Sequence, residues 1–496
     1  MPPDLKGTAV NEHPDDGLMR VELQRFHRIS VKHGGEVLFS PTTLRLWTIG
    51  EPLSSVISAF LSGATFGDVA LRLNVSAESL RDIVRRVSEH IAGDSEDSCA
   101  SAKEVPSSPL TRLIIYTTTA CNLRCTYCYV RREPRFMTLE TAHKVVVKSL
   151  AGFPRIRAVQ FFGGEPTMNM PALAQLCAEF TEACQMAGTS RPILGLVTNL
   201  TLLDEPLMAL IRDYTMRVTV SIDGPKDIHN HSRRFRSGRN TFDIVTSNLR
   251  RLRQHTDAEI TIQATYTRKH WDAGLRLTDL EEYLAQTFHT NSLVVQPADL
   301  SQGGALSNQS GIIDPAPTDA LAEMICEQSR LAVASYATTD PRMGNPLIPR
   351  VIAKLIIRGA CSPLFCGAGF STLAIYPGGE LYPCNRLAGL PELKMGTIDD
   401  LTPFQTECFR SMQQRLAEVN KGRFEKCRCC WARRLCRQCI AKTFYDTGTL
   451  GPPTDSACQL ATRNLETILQ ETCAASTDED KWARITQLVS TPAENR

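Results

Sequence analysis

Six apolar runs, separated by intervals with helical periodicity, place the strongest constraint on how this chain of 496 residues can fold. Each run is four to six residues long and rich in apolar residues, as expected of strands buried in a parallel sheet. The runs lie at residues 113–116, 158–162, 193–198, 218–221, 260–265 and 293–296. Strands that alternate with helices form parallel β/α units. We therefore predict an α/β fold centred on a partial, TIM-like (β/α)6 barrel.

The balance of charges argues against two classes of partner. Lysine and arginine total 55 against 53 aspartate and glutamate residues, so the formal charge of +2 favours neither nucleic acid nor an anionic membrane. No apolar stretch reaches the length of a membrane span, and the polar first 16 residues are unlike a signal peptide. These features predict a cytoplasmic protein. In a reducing compartment its 18 cysteines are better explained as metal ligands than as disulfides.

The segment before the barrel shows a different pattern. After a polar lead over residues 1–20, residues 28–32 and 36–40 flank a Gly34-Gly35 turn and predict a hairpin, which residues 43–49 extend. Helices are predicted at residues 52–61, at residues 65–73 and from Ser76, the last with an apolar face formed by Leu80, Ile83, Val84, Val87 and Ile91. Three strands followed by three helices predict a winged-helix domain over residues 21–93.

Composition divides the rest of the chain into further segments. Residues 94–108 are polar, acidic and aperiodic, as expected of a linker, and the barrel follows at residues 109–345. A cysteine-rich domain is predicted over residues 346–460, and a helical tail over residues 461–496. The organisation is therefore three domains in series, with the barrel in the middle.

A cysteine-rich loop directly follows the first predicted barrel strand. Cys121, Cys125 and Cys128 form a CX3CX2C run, which places three thiolates on one short loop. Four-iron four-sulfur clusters normally take four cysteines, so three ligands leave one iron open, and open metal positions are usually catalytic. The loop also lies where barrels carry their chemistry, at the carboxyl ends of the strands. A zinc knuckle or a chance group of core cysteines is the alternative, although zinc sites prefer paired CX2–4C units.

This cysteine run, with Tyr127 before its last cysteine, resembles the signature of radical S-adenosylmethionine (SAM) enzymes. The sequence Gly163-Gly164-Glu165-Pro166 follows one β/α unit later and is similar to the GGEP motif of that family. The resemblance implies that the three cysteines hold a cluster whose open iron is chelated by SAM. It also implies that Gly163, Gly164 and Glu165 hold the SAM amino group, and that SAM is split to a 5′-deoxyadenosyl radical.

Two later strand ends carry further candidates. Asn199 ends the third strand in a segment similar to the family's TNG sequence, with Leu200 in place of glycine. Ser221 and Asp223 end the fourth strand in the sequence SIDGP, which resembles the SLDGP stretch of peptide-modifying members. Their short polar side chains suit ribose hydroxyls or the adjacent turn. Arg233 is predicted either to meet the SAM carboxylate or to cap a helix.

Residues 361–458 hold ten of the 18 cysteines, more than a three-cysteine site can use. Cys366, Gly379 and Cys384 form a CX12GX4C pattern, and a CX2CX5CX2C pattern begins at Cys427 and is followed by Cys458. These spacings resemble the SPASM extension of radical SAM proteins, which carries two auxiliary four-iron four-sulfur clusters. A zinc ribbon is the alternative for CX2CX5CX2C, because zinc also accepts such thiolates.

The SPASM resemblance implies a set of ligands for each auxiliary cluster. The first set is Cys361, Cys366, Cys384 and Cys439. The second set is Cys427, Cys430, Cys436 and Cys458. With the CX3CX2C loop the chain would carry three clusters, and ligands interleave between clusters as they do in two-cluster ferredoxins. The chain departs from the family pattern in two respects, because only two residues separate Cys436 from Cys439 and Cys429 matches no ligand position.

Several residues match no motif. His229 and His231 lack neighbours at metal-ligand spacing and are interpreted as turn residues. Six cysteines are interpreted as small apolar residues, namely Cys99, Cys177, Cys184, Cys326, Cys408 and Cys473. A cluster with four cysteine ligands has no vacant iron, so the auxiliary clusters suit electron transfer or the shaping of a substrate channel.

The N-terminal pattern, with its GGEVLFSP turn, resembles the PqqD-like element that binds leader peptides of ribosomally made, post-translationally modified peptides. A packing or dimerisation domain is the alternative, because fold alone does not determine function. Together the resemblances imply a radical SAM/SPASM peptide maturase that oxidatively cross-links a precursor peptide. They also imply an electron donor of the flavodoxin or ferredoxin type.

Two other functions compete with this interpretation. Anaerobic sulfatase maturases are similar in their motifs, but carry a catalytic aspartate after the cysteine that matches Cys384, where this chain has Asn385. An asparagine cannot act as a carboxylate base, which weighs against formylglycine formation. The second alternative is an iron–sulfur electron carrier, or a regulator that reads DNA, which the GGEP motif and the near-neutral charge disfavour. The sequence identifies no catalytic base.

Overall fold

The computed structural model describes residues 26–30, 36–51, 53–82, 85, 110–130, 133–298, 318–338, 341–342, 345, 347–358 and 362–490. The predicted lead at residues 1–20 and the predicted linker at residues 94–108 lie outside these ranges. Four of the five apolar positions expected on the third N-terminal helix also lie outside them, as do Cys99 and Cys361.

The N-terminal part begins with a three-stranded antiparallel sheet. Strands β1 (His27–Ser30), β2 (Glu36–Phe39) and β3 (Leu46–Ile49) pair in that order, so β1 and β3 form its edges. Helices α1 (Leu53–Leu61) and α2 (Phe66–Leu73) follow, and residues 77–82 are also helical. Strands and helices occur in the order that the sequence predicts.

Side-chain alternation buries this small sheet on both faces. Leu38 and Ile49 pack with α1 and α2 in one apolar cluster. Ile29, Val37 and Phe39 belong to a second cluster, formed with helices from the C-terminal half of the chain. Successive side chains of a strand point to opposite faces, so two apolar faces require two covering layers. The N-terminal part is therefore packed onto the rest of the molecule.

A nine-stranded sheet forms the centre of the molecule. Its strands are β4 (Arg112–Thr118), β5 (Ala158–Gly163), β6 (Ile193–Thr198), β7 (Arg217–Ser221), β8 (Ile260–Tyr266), β9 (Leu293–Pro297), β10 (Thr372–Ile375), β11 (Glu380–Tyr382) and β12 (Gly396–Thr397). Strands β4 to β9 pair in parallel and in chain order, so the α/β, partial TIM-like architecture is confirmed. Three strands that the sequence did not predict extend it, because β10 joins β4 in parallel and β11 and β12 follow antiparallel.

Helices connect the parallel strands and cover one face of the sheet. They are α3 (Leu139–Gly152), α4 (Met170–Met186), α5 (Glu205–Asp213), α6 (Lys226–Ser232), α7 (Phe242–His255), α8 (Arg268–Asp272) and α9 (Leu277–Phe288). Capping side chains define where two of them start, since Thr138 accepts a hydrogen bond from the Thr141 amide and Asp204 from the Leu207 amide. The main apolar core lies between these helices and the sheet.

The C-terminal half adds a second group of helices. They are α10 (Thr318–Tyr336), α11 (Leu347–Ile357), α12 (Glu407–Glu418), α13 (Glu425–Arg428), α14 (Ile440–Thr447), α15 (Asp455–Ser476) and α16 (Glu479–Ser490). Helices α10, α11, α15 and α16 form the cluster that covers the second face of the N-terminal sheet. No helix in the described ranges has the length and hydropathy needed to cross a membrane.

The inner face of the parallel sheet is more polar than the sequence suggests. Strand β4 is buried on both faces. In β5 to β8, by contrast, buried side chains alternate with part-exposed ones. The part-exposed positions include Gln160, Thr219, Ser221, Gln263 and Thr265. An incomplete barrel leaves its interior accessible, so polar side chains line it.

Candidate active site

The loop after β4 brings together the three thiols of the CX3CX2C run. Burial is the main cause that raises the pKa of Cys121 and of Cys125 to about 12, and the nearby Cys128 thiol acts on both in the same direction. Backbone hydrogen bonds hold the loop in place, among them one of 2.8 Å from the Arg124 amide to the Arg234 carbonyl. Metal ligation requires thiolates, so a cation or cluster would have to offset this burial.

Gly163 and Gly164 allow the end of β5 to approach this loop closely. A Cβ atom on Gly163, whose φ is +143°, would lie 2.0 Å from the Thr118 carbonyl oxygen. A Cβ atom on Gly164 would lie 2.2 Å from the Ala120 carbonyl oxygen. The close approach lets the Gly164 amide donate to Thr118 (3.0 Å) and the Glu165 amide donate to Ala120 (2.8 Å). The two glycines therefore join the GGEP segment to the cysteine loop.

The Glu165 carboxylate is buried and makes hydrogen bonds across the strand ends. Its Oε1 accepts from the hydroxyls of Thr198 (2.7 Å) and Thr167 (2.8 Å), and its Oε2 accepts from the Asn199 amide (2.7 Å). Burial raises the pKa of Glu165, and these hydrogen bonds act in the opposite direction. Glu165 thus ties the end of β5 to the end of β6. Contact between Gly163, Gly164 or Glu165 and the SAM amino group stays a prediction.

Asn199 supports the cysteine loop from the end of β6. Its Nδ2 donates to Asn122 Oδ1 at 3.0 Å and lies 3.8 Å from Cys121 Sγ. Leu200 follows with a φ of +51°, in the left-handed region that favours glycine. This geometry explains why a glycine is suited to the third position of a TNG segment. Here the leucine side chain is fully buried, so its apolar contacts offset the backbone strain.

Asp223, Arg233 and Tyr127 form a buried network beside Cys125. The Tyr127 hydroxyl donates to Asp223 Oδ2 at 2.5 Å, and Arg233 Nε lies 3.0 Å from the same oxygen. The Arg233 guanidinium covers the Tyr127 ring and reaches within 4.0 Å of Cys125 Sγ. Burial alone would raise the pKa of Asp223, but the Arg233 guanidinium holds it below its ordinary value. The structure therefore brings three predicted site residues together, while Ser221 ends β7 on the polar inner face.

Two histidines support Asp223. His229 Nδ1 accepts from the Asp223 amide (3.3 Å), and His270 Nε2 donates to the Asp223 carbonyl oxygen (2.6 Å). Burial lowers the pKa of His229 to about 4 and also lowers the pKa of His270, so both rings are neutral at pH 7. The interpretation of His229 and His231 as turn residues is wrong, because both lie in the helix α6. Sequence reasoning missed His270, because it lies 47 residues from Asp223 and no local spacing connects them.

Three of the four cysteines expected at the first auxiliary site lie together. Burial, together with the nearby thiols of Cys439 and Cys366, raises the pKa of Cys384 to about 12. Arg386 donates to Cys439 Sγ at 3.5 Å. Because Cys361 is outside the described residues, its place in this set stays a prediction.

The four cysteines expected at the second auxiliary site line one cavity of about 310 Å³. They are Cys427, Cys430, Cys436 and Cys458. Lys421, Lys426 and Arg433 line the same cavity. Burial raises the pKa of Cys436 to about 12, and the Lys421 ammonium opposes this rise. Asp455 also lines the cavity and pairs with Lys426 at 3.0 Å, so cationic side chains outnumber the carboxylate, which suits an anionic iron–sulfur cluster.

The three sets of cysteines offer only thiol side chains as metal ligands. In the part of the chain that the structure describes, no group of three His, Cys, Asp or Glu side chains is arranged to hold a single metal ion. Iron–sulfur clusters are normally held by cysteine thiolates, so the donor chemistry of the three sets fits them.

Tyr129 and Asn385 lie between the cysteine loop and the first auxiliary set. Asn385 Nδ2 donates to the Tyr129 hydroxyl at 2.8 Å, and the Tyr116 hydroxyl donates to the Asn385 carbonyl oxygen at 2.7 Å. Burial raises the pKa of Tyr129, and the thiols of Cys128 and Cys384 both act on its ring in the same direction. The pair is neutral at pH 7 and offers no base. Sequence reasoning missed Tyr129, whose only signal is its place beside Cys128.

The remaining cysteines divide into buried and exposed groups. Cys177, Cys184, Cys326 and Cys473 are buried, as expected of small apolar residues. Cys408 and Cys429 are exposed. Cys408, interpreted as a small apolar residue, is therefore not buried; it lies near the start of α12, where its thiol faces the Lys394 carbonyl oxygen at 3.6 Å.

Comparison with known protein families matches part of the barrel. The family model of the radical SAM superfamily matches residues 115–272. A cysteine-type anaerobic sulfatase-maturating enzyme of Clostridium perfringens is 30% identical over 145 residues, which cover 28% of this chain and 39% of that protein. The chain spans 39% to 46% of the length of the first curated relatives that it matches.

Two solved structures share the fold. A structure of anSMEcpe with bound AdoMet has a TM-score of 0.62 at 20% identity and covers 76% of this chain and 98% of its own. Streptococcus suis SuiB bound to precursor peptide SuiA has a TM-score of 0.50 at 13% identity and covers 87% of this chain and 99% of its own. At these identities the similarity establishes the fold.

Proposed function

Because residues 115–272 form a radical SAM domain, we propose that this chain is a radical SAM peptide maturase that oxidatively cross-links a precursor peptide. The observation that carries the proposal is the convergence of Cys121, Cys125 and Cys128 with the GGEP segment at one end of the sheet. We assign these three cysteines as the ligands of the catalytic cluster. When bound, such a cluster supplies the electron that splits SAM to a 5′-deoxyadenosyl radical.

The protein's own residues orient SAM in this proposal. The inner face of β7 presents Ser221, and Asp223 holds Tyr127 and Arg233 beside the cysteine loop. Arg233 already forms an ion pair with Asp223. If it also binds the SAM carboxylate, it would do so while keeping that ion pair. We assign Glu165 mainly to positioning, since its oxygens already accept hydrogen bonds from three residues of the protein.

We assign the cysteines of the SPASM-like patterns to two auxiliary clusters, which makes three clusters in all. Cys361, Cys366, Cys384 and Cys439 form the first set, and Cys427, Cys430, Cys436 and Cys458 form the second. The proximity of Cys366 and Cys439 to Cys384 and the cavity lined by the second set support this assignment. A cross-link that forms from a carbon radical releases one electron, and the auxiliary clusters would accept it.

The N-terminal sheet offers a surface for a leader peptide. Strand β3 is an edge strand, and an extended peptide can add to such an edge through main-chain hydrogen bonds. In the same N-terminal part, Leu71, Leu73 and Val75, on and after α2, are exposed apolar residues. Among solved structures that share the fold, SuiB is bound to precursor peptide SuiA and anSMEcpe is bound to the Cp18Cys peptide. We propose that this chain likewise binds a peptide, namely the leader of its precursor.

A second candidate function is the maturation of sulfatases. The 30% identity to the Clostridium perfringens enzyme favours it. The neutral Tyr129–Asn385 pair opposes it, because formylglycine formation by the resembling enzymes uses an aspartate at the position of Asn385. Cross-linking is therefore preferred. A cytoplasmic location and an electron donor of the flavodoxin or ferredoxin type belong to the same proposal.

Replacement of Cys121, Cys125 and Cys128 by alanine tests the function. With dithionite as reductant, the variant should lose about four of roughly twelve irons per chain and produce no 5′-deoxyadenosine from SAM. The control is the Cys177→Ala, Cys184→Ala, Cys326→Ala variant, which replaces three buried cysteines outside all sets. It should keep both its iron and its SAM cleavage. SAM cleavage by the first variant would overturn the assignment.

Leader binding is tested by substitution on the exposed apolar surface. Deletion of the N-terminal sheet is a poor test, because it would uncover the apolar cluster that contains Ile29 and Val37. Leu71→Ser should instead weaken binding of a leader-bearing precursor peptide and leave SAM cleavage intact. Leu401→Ser is the matched control, since Leu401 is also highly exposed but lies far along the chain. Equal affinities for the peptide would show that the sheet is a packing module.

A further inference from the structure

Residues 430–436 separate the thiol-lined cavity from the N-terminal sheet, and we call this segment the shared wall. Cys430, Ala432, Arg433 and Cys436 line the cavity. Ala432 and Leu435, 1% and 2% exposed, pack in the apolar cluster that also contains Ile29, Val37 and Phe39 of the N-terminal sheet. One short segment therefore contacts a site for a cluster on one side and the sheet on the other.

Trp431 makes the most specific contact between the shared wall and the sheet. The His27 ring stacks on it with centroids 3.9 Å apart and an interplanar angle of 7°, and the Phe39 ring meets it edge-on at 5.8 Å. His27 is also held by Glu466 on α15, with 2.9 Å between Nε2 and Oε1. Strand β1 is thus fixed at two points, and one of them is the residue after Cys430.

The shared wall is short and internally bonded, so it moves as a unit. The Cys436 amide donates to the Ala432 carbonyl oxygen at 2.7 Å, and the Arg433 amide donates to the Cys430 carbonyl oxygen at 3.1 Å. A change in the positions of Cys430 and Cys436 must therefore shift Trp431 and Leu435 between them. Packed cores transmit such shifts because they contain little free volume.

We propose that the shared wall couples the N-terminal sheet to the second auxiliary site. Filling that site with a cluster fixes Cys430 and Cys436 and thereby orders β1 and β2 through Trp431. Coupling free energies are reciprocal, so a peptide that orders the sheet also stabilises the filled site. The proposal rests on the assignment of the second auxiliary set as cluster ligands, and it assigns His27 and Trp431 as positioning residues. They would link peptide recognition to the redox centre.

Hydrogen exchange of the full-length protein tests the coupling, with ferrous iron and sulfide as the probe. Amide exchange of residues 27–39 is measured by mass spectrometry before and after anaerobic reconstitution. Reconstitution should slow this exchange roughly two- to tenfold, the range expected if coupling is of the order of one aromatic contact. Cys458→Ala, outside the shared wall, should abolish the slowing, whereas Cys384→Ala at the other auxiliary site should retain it.

Two neighbouring substitutions separate coupling from general destabilisation of the sheet. His27→Ala removes the ring on Trp431, and Phe26→Ala removes a ring that meets Trp47 at 5.7 Å on the other face. Both weaken the sheet, but only His27→Ala should lose the slowing on reconstitution and shift the midpoint potential of one cluster. Equal behaviour of the two variants would overturn the proposal, as would unchanged exchange in a wild-type protein that holds about twelve irons. Failure of the second site to take up iron would instead overturn the ligand assignment and the coupling together.

Discussion

The CX3CX2C loop and the thiol-lined cavity hold their cysteines in contrasting ways. The loop places Cys121, Cys125 and Cys128 within eight residues, and the ends of β5, β6 and β7 fix it through Gly163, Asn199 and Asp223. The cavity draws on residues from Cys427 to Cys458, and cationic side chains surround it. The loop is thus local in sequence and supported by the sheet, whereas the cavity is dispersed and its packing extends to another domain. This difference predicts which substitutions act on one site alone.

The largest expected effect separates radical formation from product formation. Cys384→Ala and Cys436→Ala, one in each auxiliary set, should each reduce the yield of cross-linked peptide by at least about tenfold. That is the lower end of the loss seen when a group that supports a metal site is replaced. Production of 5′-deoxyadenosine should change much less. Mass spectrometry of the peptide, which should lose two hydrogens, measures the first effect, and chromatography measures the second. Wild-type rates of cross-linking in both variants would show that the auxiliary sites are only structural.

The next effect tests how far the cysteine loop depends on the buried ion pair. Asp223→Asn leaves the Arg233 guanidinium buried without a counter-charge, so the free energy of unfolding should fall by about 3–5 kcal/mol. Asp399→Asn breaks an exposed pair with Lys144 (2.9 Å) and should cost only about 0–1 kcal/mol. Urea denaturation of the metal-free proteins measures both values. Equal losses would mean that the network does not hold the loop.

A smaller effect tests the close approach of β5 to the loop. Gly163→Ala would place a Cβ atom 2.0 Å from the Thr118 carbonyl oxygen, so the strand end must move and SAM cleavage should fall. Gly188→Ala is the matched control, since Gly188 also has a positive φ of +64° but has nothing within 4 Å of the added atom. The control should lose only about 1–2 kcal/mol of stability and keep its activity. Equal rates of SAM cleavage in the two variants would contradict the role given to Gly163.

Local patterns predicted the barrel well and the supporting contacts poorly. Six parallel strands and the cysteine loop follow from runs of a few residues, and the observed sheet has them in the predicted order. Strands β10 to β12 were not predicted, because they are only two to four residues long, which is too short for a clear pattern, and lie among cysteines and glycines. His270 and Tyr129 were also missed, since their partners Asp223 and Asn385 lie 47 and 256 residues away.

In the N-terminal domain too, local patterns predicted the strands and helices but not the contacts between residues distant in sequence. Its strands and helices follow from alternation and turn residues, but the contact between His27 and Trp431 joins residues that no local pattern relates. The apolar face formed by Ile29, Val37 and Phe39 could have indicated a second covering layer. Which elements supply that layer depends on the complete fold.

The central claim is that SAM binds at the three-cysteine loop and at no other iron–sulfur site of this chain. Its most direct test is electron paramagnetic resonance of the reduced, reconstituted protein with and without SAM. In a Cys384→Ala, Cys436→Ala variant, SAM should still change the spectrum of a cluster. In the Cys121→Ala, Cys125→Ala, Cys128→Ala variant, the signals of the remaining clusters should be unaffected by SAM. A spectrum that responds to SAM in the second variant, or fails to respond in the first, would contradict the account.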